Sequence, residues 1–245
     1  MAPRIRTLIV LAILASLSPI LHAKEVTIEA DGDVRVFGTF REAVGEGRGI
    51  VLLFHQARSN RHEYDPMIPV INRAGFDTLA IDQRSGGEMW GRENETVDRL
   101  GRSRDYLDAY ADMAAALAWA ERQGYTTVVA VGSSYSASLV FRLAVENPKS
   151  IDAAAAFSPG EYFKGRPDYV KDHAAKVAVP IFATCAGDEN ERLDEVLRKA
   201  DGERVTRFRQ EKGVHGASAL RRDRNPQGHD EVREAFIGFL KKAGE

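Results

Sequence analysis

Residues 128–144 read VVAVGSSYSASLVFRLA, and the fold turns on how this stretch is parsed. An apolar, β-branched run over 128–131 meets Gly132, then four serines within six residues, Ser133, Ser134, Ser136 and Ser138, before apolar residues resume at helical spacing. A short run of this kind bounded by small residues reads as a strand buried on both faces, and the segment after it reads as a helix. Where a strand turns sharply into a helix, the corner residue is strained and exposed, and only small side chains fit two positions before and two after it. Ser133 has Val131 and Tyr135 in those places and Ser138 has Val140, so both fail. Ser134 has Gly132 and Ser136; Ser136 has Ser134 and Ser138 but lies two residues past the end of the strand. Ser134 is therefore the expected corner, at the carboxyl end of a sheet strand where reactive groups collect. The plain alternative is a serine-rich helix start whose hydroxyls only cap backbone amides.

Outward from this corner the chain repeats one theme. Residues 49–55, 76–82, 126–132, 151–157, 179–185 and 204–210 are short strand candidates, most of them continuously apolar. Helical periodicity occupies 64–74, 104–123, 135–146, 191–200 and 229–242, the clearest being 104–123, where Leu107, Tyr110, Met113, Ala114, Leu117 and Ala120 recur at intervals of three and four before Gly124. Doubly buried strands alternating with helices make a mostly parallel sheet covered on both faces. Upstream, VTIEA and VRVFGTF alternate in polarity around Asp31-Gly32-Asp33, an antiparallel hairpin leading into that sheet. With no Pro- or Ser-rich linker and no low-complexity tract, residues 24–245 read as a single domain of the α/β class.

The N-terminus has Arg4 and Arg6, an apolar run over 7–21, then His22 and Ala23 before charge begins. This is the layout of a secretory leader with cleavage after Ala23, too short to span a bilayer, and it implies a periplasmic or secreted product without stable membrane insertion. An uncleaved anchor is the alternative. Loss of two arginines moves the formal charge from -2 to -4, and without a dense basic cluster nucleic acid is not an expected partner. The single cysteine, Cys185, excludes an internal disulfide and a multi-cysteine metal site and is expected to be buried.

A serine nucleophile needs a base, and the base needs an orienting acid. Of six histidines, His22 lies in the leader, His55 and His62 precede the corner, and His173 sits in the charged stretch KDHAAK. His229 opens a helix and reads as a surface residue, whereas His215, in EKGVHGASAL beyond the last strand, is placed to reach back over the sheet edge. After strand 179–185 comes Gly187, then Asp188, Glu189 and Glu191. Gly187 permits a tight turn that keeps Asp188 near the strand end, so Asp188 is the expected acid; Glu189, the competitor, would need its extra methylene to return. Acids here also suit the start of a helix for purely structural reasons. A metal centre on His55, His62 and Glu63 lacks the two-histidine helical spacing of zinc hydrolases, and no metal is expected.

Gly132-Ser133-Ser134-Tyr135-Ser136 resembles the GxSxG nucleophile elbow of α/β-hydrolases, with Ser136 in place of the last glycine. His55-Gln56-Ala57 resembles the strand-His-Gly-x loop of that superfamily, with Gln56 in the glycine place. The resemblance covers most of residues 24–245 and is similar to the dienelactone hydrolase group, in which cysteine is often the nucleophile. It implies an α/β-hydrolase fold, a Ser134, Asp188, His215 triad, oxyanion donors from the amides of Tyr135 and of Ala57 or Gln56, and no cofactor; the interval of about twenty residues between strands 151–157 and 179–185 leaves no room for a large lid. It also implies hydrolysis of a small ester, lactone or related acyl substrate through an acyl-enzyme. Trp90, Tyr135, Tyr162 and Phe163 are candidate apolar walls. A peptidase or thioesterase would use the same residues, and a catalytically silent binding protein would keep the fold alone.

Overall fold

Polarity that alternates every second residue puts one side of a strand inward, and the first two strands show it: β1 (Ala23–Ala30) and β2 (Val34–Arg41) bury Val26, Ile28, Val34 and Val36. They pair antiparallel in full register, Ala30 opposite Val34, around Gly32 and Asp33, both at positive φ. The computed structural model describes residues 23–211 and 213–245; apart from Ala23, the expected leader lies outside the described residues.

The continuously apolar runs become β3 (Gly49–Phe54), β4 (Phe76–Ile81), β5 (Val128–Ser133), β6 (Ala153–Phe157) and β7 (Ile181–Cys185). With β8 (Val205–Arg209) they form one eight-stranded sheet in the order β1-β2-β4-β3-β5-β6-β7-β8. β2 meets β4 antiparallel, and every pairing from β4 to β8 is parallel.

Because successive side chains point to opposite faces, each apolar strand supplies two cores. Ile50, Leu52 and Phe54 of β3 join Ala130 of β5 on one face; Val51 and Leu53 join Val129 and Val131 on the other. The first face is closed by α3 (Tyr110–Arg122) through Met113, Leu117 and Ala120, and by α4 (Tyr135–Glu146) through Leu139 and Leu143. α1 (Ile68–Arg73) and α7 (His229–Ala243) close the second with Ile68, Ile71, Phe236 and Leu240.

Two expected helices begin differently. Residues 61–64 form a 3-10 turn, and α1 starts only at Ile68, because Pro66 and Pro69 lack the amides a continuous helix would use. Similarly, 106–109 is a 3-10 turn leading into α3. Among the described residues three further α-helices occur: α2 (Glu95–Leu100), α5 (Tyr169–Ala174) and α6 (Asn190–Leu197). α2 was not expected from the periodicity; it is six residues long, capped by the Asn94 side chain on the Val97 amide and closed by Gly101 at φ 69°. Between β6 and β7 the chain carries only α5 and short loops, and among the described residues no separate lid domain stands over the carboxyl end of the sheet.

Candidate active site

β5 delivers Ser134 to the corner at φ 59°, ψ -120°, a conformation rare for a residue with a side chain. The corner is held from beneath. A Cβ on Gly132 would collide with the Ser136 carbonyl and lie 2.5 Å from the Ala137 amide nitrogen, so only glycine fits there. Ser136 is more than a tolerated replacement for glycine. Its buried hydroxyl accepts the Ser133 amide at 2.9 Å and lies 2.7 Å from the Phe54 carbonyl and 2.9 Å from that of His55, joining the corner to the end of β3.

His215 follows β8 and stands before the 3-10 turn Gly216–Leu220. Its Nε2 is 2.8 Å from Ser134 Oγ and its Nδ1 is 2.6 Å from Oε1 of Glu189. Ser134 and His215 are thus brought together as the sequence implies. The acid is corrected: Glu189, and not Asp188, faces the histidine. Residues 187–189 form a 3-10 turn, in which neighbouring side chains diverge by about 120°. Only one of the two carboxylates can point inward; Asp188 is exposed, and the extra methylene of Glu189 spans the gap.

Glu189 is itself held. Its Oε2 accepts the Ser158 hydroxyl at 2.6 Å and the Ala186 amide at 3.3 Å, while Ser158 Oγ accepts the Gly216 amide at 2.9 Å. Burial alone would raise the Glu189 carboxyl; the hydrogen bonds from His215 and Ser158 outweigh it and hold the group below the usual glutamate range. Ser158, at φ 56° just after β6, was missed in the sequence because a lone serine there has no motif.

Of the two oxyanion candidates on the β3 loop, the Gln56 amide is engaged, donating to Glu63 Oε2 at 2.8 Å. That leaves Ala57. Among the described residues no protein acceptor takes the Ala57 or the Tyr135 amide, and Tyr135 opens α4, where helix amides are free. His55 beneath this loop is fully buried, and burial, against the charge of Asp82, lowers its pKa. Its Nε2 accepts the Gln83 amide at 2.9 Å, so Nδ1 carries the proton toward the Gln56 carbonyl at 2.7 Å. His62 pairs with Asp65 and Glu63 faces Gln56 and Ser133, so these three side chains do not converge on one point.

The expected walls divide. Tyr162 meets the His215 ring edge-on at 6.5 Å, and Phe163 is buried against Tyr169. Tyr135 turns inward and offers no surface: it stacks on Tyr106 at 4.6 Å and accepts from Ser85 at 2.5 Å. Trp90 lies under the Arg221 guanidinium, 4.0 Å from its ring centre. Tyr106, Tyr162 and Phe163 line a cavity of 610 Å³ beside the site, and Tyr162 also borders a second one of 320 Å³. His229 is buried rather than superficial, its Nδ1 3.0 Å from the Asn225 carbonyl. Cys185 is buried as expected.

A parallel sheet entered through an antiparallel hairpin, with a serine on the strained strand-to-helix corner, defines an α/β-hydrolase. The family model described as serine aminopeptidase, S33 matches residues 45–221, and the chain belongs to that family. A search of the curated proteins finds no match. Among solved structures, the chain is similar to an esterase of Pyrococcus furiosus, at 18% identity over 91% of this chain and 90% of that one, with a TM-score of 0.66. It is similar also to a dienelactone hydrolase from Anabaena variabilis, at 18% identity, coverage of 90% and 97%, and a TM-score of 0.67. A proline iminopeptidase of Mycobacterium smegmatis matches at 11% identity, coverage of 90% and 99%, and a TM-score of 0.65. At such identities the likeness is one of fold.

Proposed function

We propose that the protein hydrolyses small esters, lactones or related acyl compounds through an acyl-enzyme on Ser134. The observation that carries this reading is the continuous relay from Glu189 through His215 to Ser134, at 2.6 Å and 2.8 Å, on a strained corner. His215 Nε2 takes the Ser134 proton as Oγ attacks the acyl carbon, and the carbonyl oxygen becomes an oxyanion between the Ala57 and Tyr135 amides. Glu189 keeps the proton of His215 on Nδ1 and stabilises the imidazolium. The tetrahedral intermediate collapses as His215 returns the proton to the leaving oxygen; water then repeats the sequence on the acyl-Ser134. The β6–β7 connection holds only α5 and short loops, which suits small soluble substrates over long-chain lipids.

A peptidase reading has one observation in its favour. The family model that matches residues 45–221 is described as serine aminopeptidase, S33. One panel decides between the two: nitrophenyl esters of increasing chain length, lactones, thioesters and aminoacyl anilides, with a fluorophosphonate probe read by intact mass. Ester or lactone turnover and labelling that both vanish in Ser134→Ala are expected. Labelling that persists in that variant overturns the mechanism, and a preference for aminoacyl anilides overturns the substrate class.

A further inference from the structure

The mechanism leaves one buried carboxylate unused. Glu63 is 1% exposed and sits behind the reacting groups, where it bonds the oxyanion loop and the nucleophile corner and, through Ser133, reaches the histidine turn. Its Oε2 accepts the amide of Gln56, the residue before the oxyanion donor Ala57, at 2.8 Å. Its Oε1 accepts the hydroxyl of Ser133, the residue before the nucleophile, at 2.8 Å. Ser133 Oγ in turn accepts the amide of Ala217, two residues after His215, at 2.8 Å. Two further contacts surround this centre: Arg221 donates to the Glu63 carbonyl at 3.1 Å, and Gln56 Nε2 donates to Ser218 Oγ at 3.2 Å.

From these contacts we propose that Glu63 is a positioning residue of the active site, a clamp that sets the oxyanion loop against the nucleophile corner and the histidine turn. The three loops come from distant parts of the chain, and β3 and β5 pair only as far as Phe54 and Gly132, short of Gln56 and Ser134. Without an acceptor at Glu63 Oε2 the Gln56 amide would be buried without a partner, and the adjoining peptide, which ends in the Ala57 N–H, would rotate to find one. A carboxylate is costly to bury, and here burial pushes Glu63 up to about 7 against the lowering effect of the Gln56 and Ser133 hydrogen bonds and the Arg221 and His215 charges. A fold that only needed filling would place an apolar side chain here. Oxyanion catalysis depends on donors fixed before the charge forms, and a clamp of this kind supplies that fixity.

The inference rests on the serine-hydrolase reading, so Ser134→Ala is measured beside the other variants: turnover surviving in it defeats that reading, whereas its loss leaves Glu63 to be judged by itself. Glu63→Leu, Glu63→Gln and Ser133→Ala are compared for kcat and KM on a nitrophenyl ester. Inhibition by a trifluoromethyl ketone, whose adduct with Ser134 places an oxyanion between the two amides, is measured in parallel. Glu63→Leu is expected to lower kcat by about 100-fold with KM little changed and to weaken the ketone in proportion, as loss of an oxyanion donor does. Glu63→Gln, which keeps a carbonyl for Gln56, is expected to recover at least about tenfold of that loss. A folded Glu63→Leu with kcat within threefold of the parent, or one impaired in KM alone with ketone binding intact, overturns the proposal. Where Glu63→Leu does not fold, Ser133→Ala decides: a drop in kcat of about tenfold with matched weakening of the ketone supports the clamp, and parental values overturn it.

Discussion

Replacing Glu189 by glutamine tests the relay most sharply, because the surrounding donors dictate how the new amide must sit. Oε2 of Glu189 accepts two hydrogen bonds, from Ser158 Oγ and from the Ala186 amide. Ser158 Oγ already accepts the Gly216 amide, so its own proton points to Glu189. The glutamine carbonyl must therefore take the Oε2 place, and its NH2 group falls where Oε1 now meets His215 Nδ1 at 2.6 Å. Arg192, 3.7 Å from Oε1 and half-exposed, pulls the other way only weakly. Two donors cannot face each other, so the imidazole proton moves to Nε2 and confronts the Ser134 hydroxyl, whose proton then has no acceptor. In a serine triad the wrong tautomer lowers kcat by about four orders of magnitude, or about 5 kcal/mol of barrier. Asp188→Asn, on the exposed side of the turn, should stay within about threefold of the parent, as exposed substitutions away from the reacting groups do. Purified variants would be compared by kcat on a nitrophenyl ester, with circular dichroism to establish the fold. Near-parental turnover in Glu189→Gln together with collapse in Asp188→Asn would refute the relay through Glu189 and return the acid to Asp188.

The Glu63 carboxyl lies at about 7 against an ordinary value of 4.5, so its contribution to stability is complete below pH 4.5 and is lost as pH rises to 7. Glu63→Gln cannot ionise; the stability of the parent relative to this variant should fall by about 3 kcal/mol across that window, and urea titrations giving parallel pH curves would contradict the assignment. Gly132→Ala drives a methyl into the Ser136 carbonyl and to 2.5 Å from the Ala137 amide, so α4 must shift. A loss of about 3 kcal/mol is expected, with turnover falling about 100-fold as Ser134 is displaced; a parental melting temperature and rate would show that the corner is not held there. Ser136→Gly restores the commoner elbow residue yet removes the acceptor of the Ser133 amide, and should cost about 1–3 kcal/mol in chemical denaturation, whereas an unchanged midpoint would make the hydroxyl dispensable.

Local pattern alone located most of the framework. Continuous apolar runs named the buried strands, spacing of three and four named α3, α4 and α7, and the need for small neighbours singled out Ser134 from four serines. These readings succeed because each depends on residues within a few positions of one another, where the backbone period and steric contact are set by the sequence itself. His215 was legible for a related reason: it is the one histidine beyond the last strand that does not open a helix. Which carboxylate faces His215 was not legible, because Asp188 and Glu189 differ by one position and one methylene, and the choice depends on the rotation of a three-residue turn whose partners, Ser158 and His215, lie in other loops. Gln56 and Ala57 were likewise inseparable until the Gln56 amide met Glu63 seven positions later. The contacts of Ser158 and Glu63 belong wholly to the tertiary structure. Ser133 lies 70 residues from Glu63 and 84 from Ala217, and Ser158 lies 31 residues from Glu189. Partners so far apart in the chain leave no periodic trace, since what joins them is the closure of separate loops over one end of the sheet.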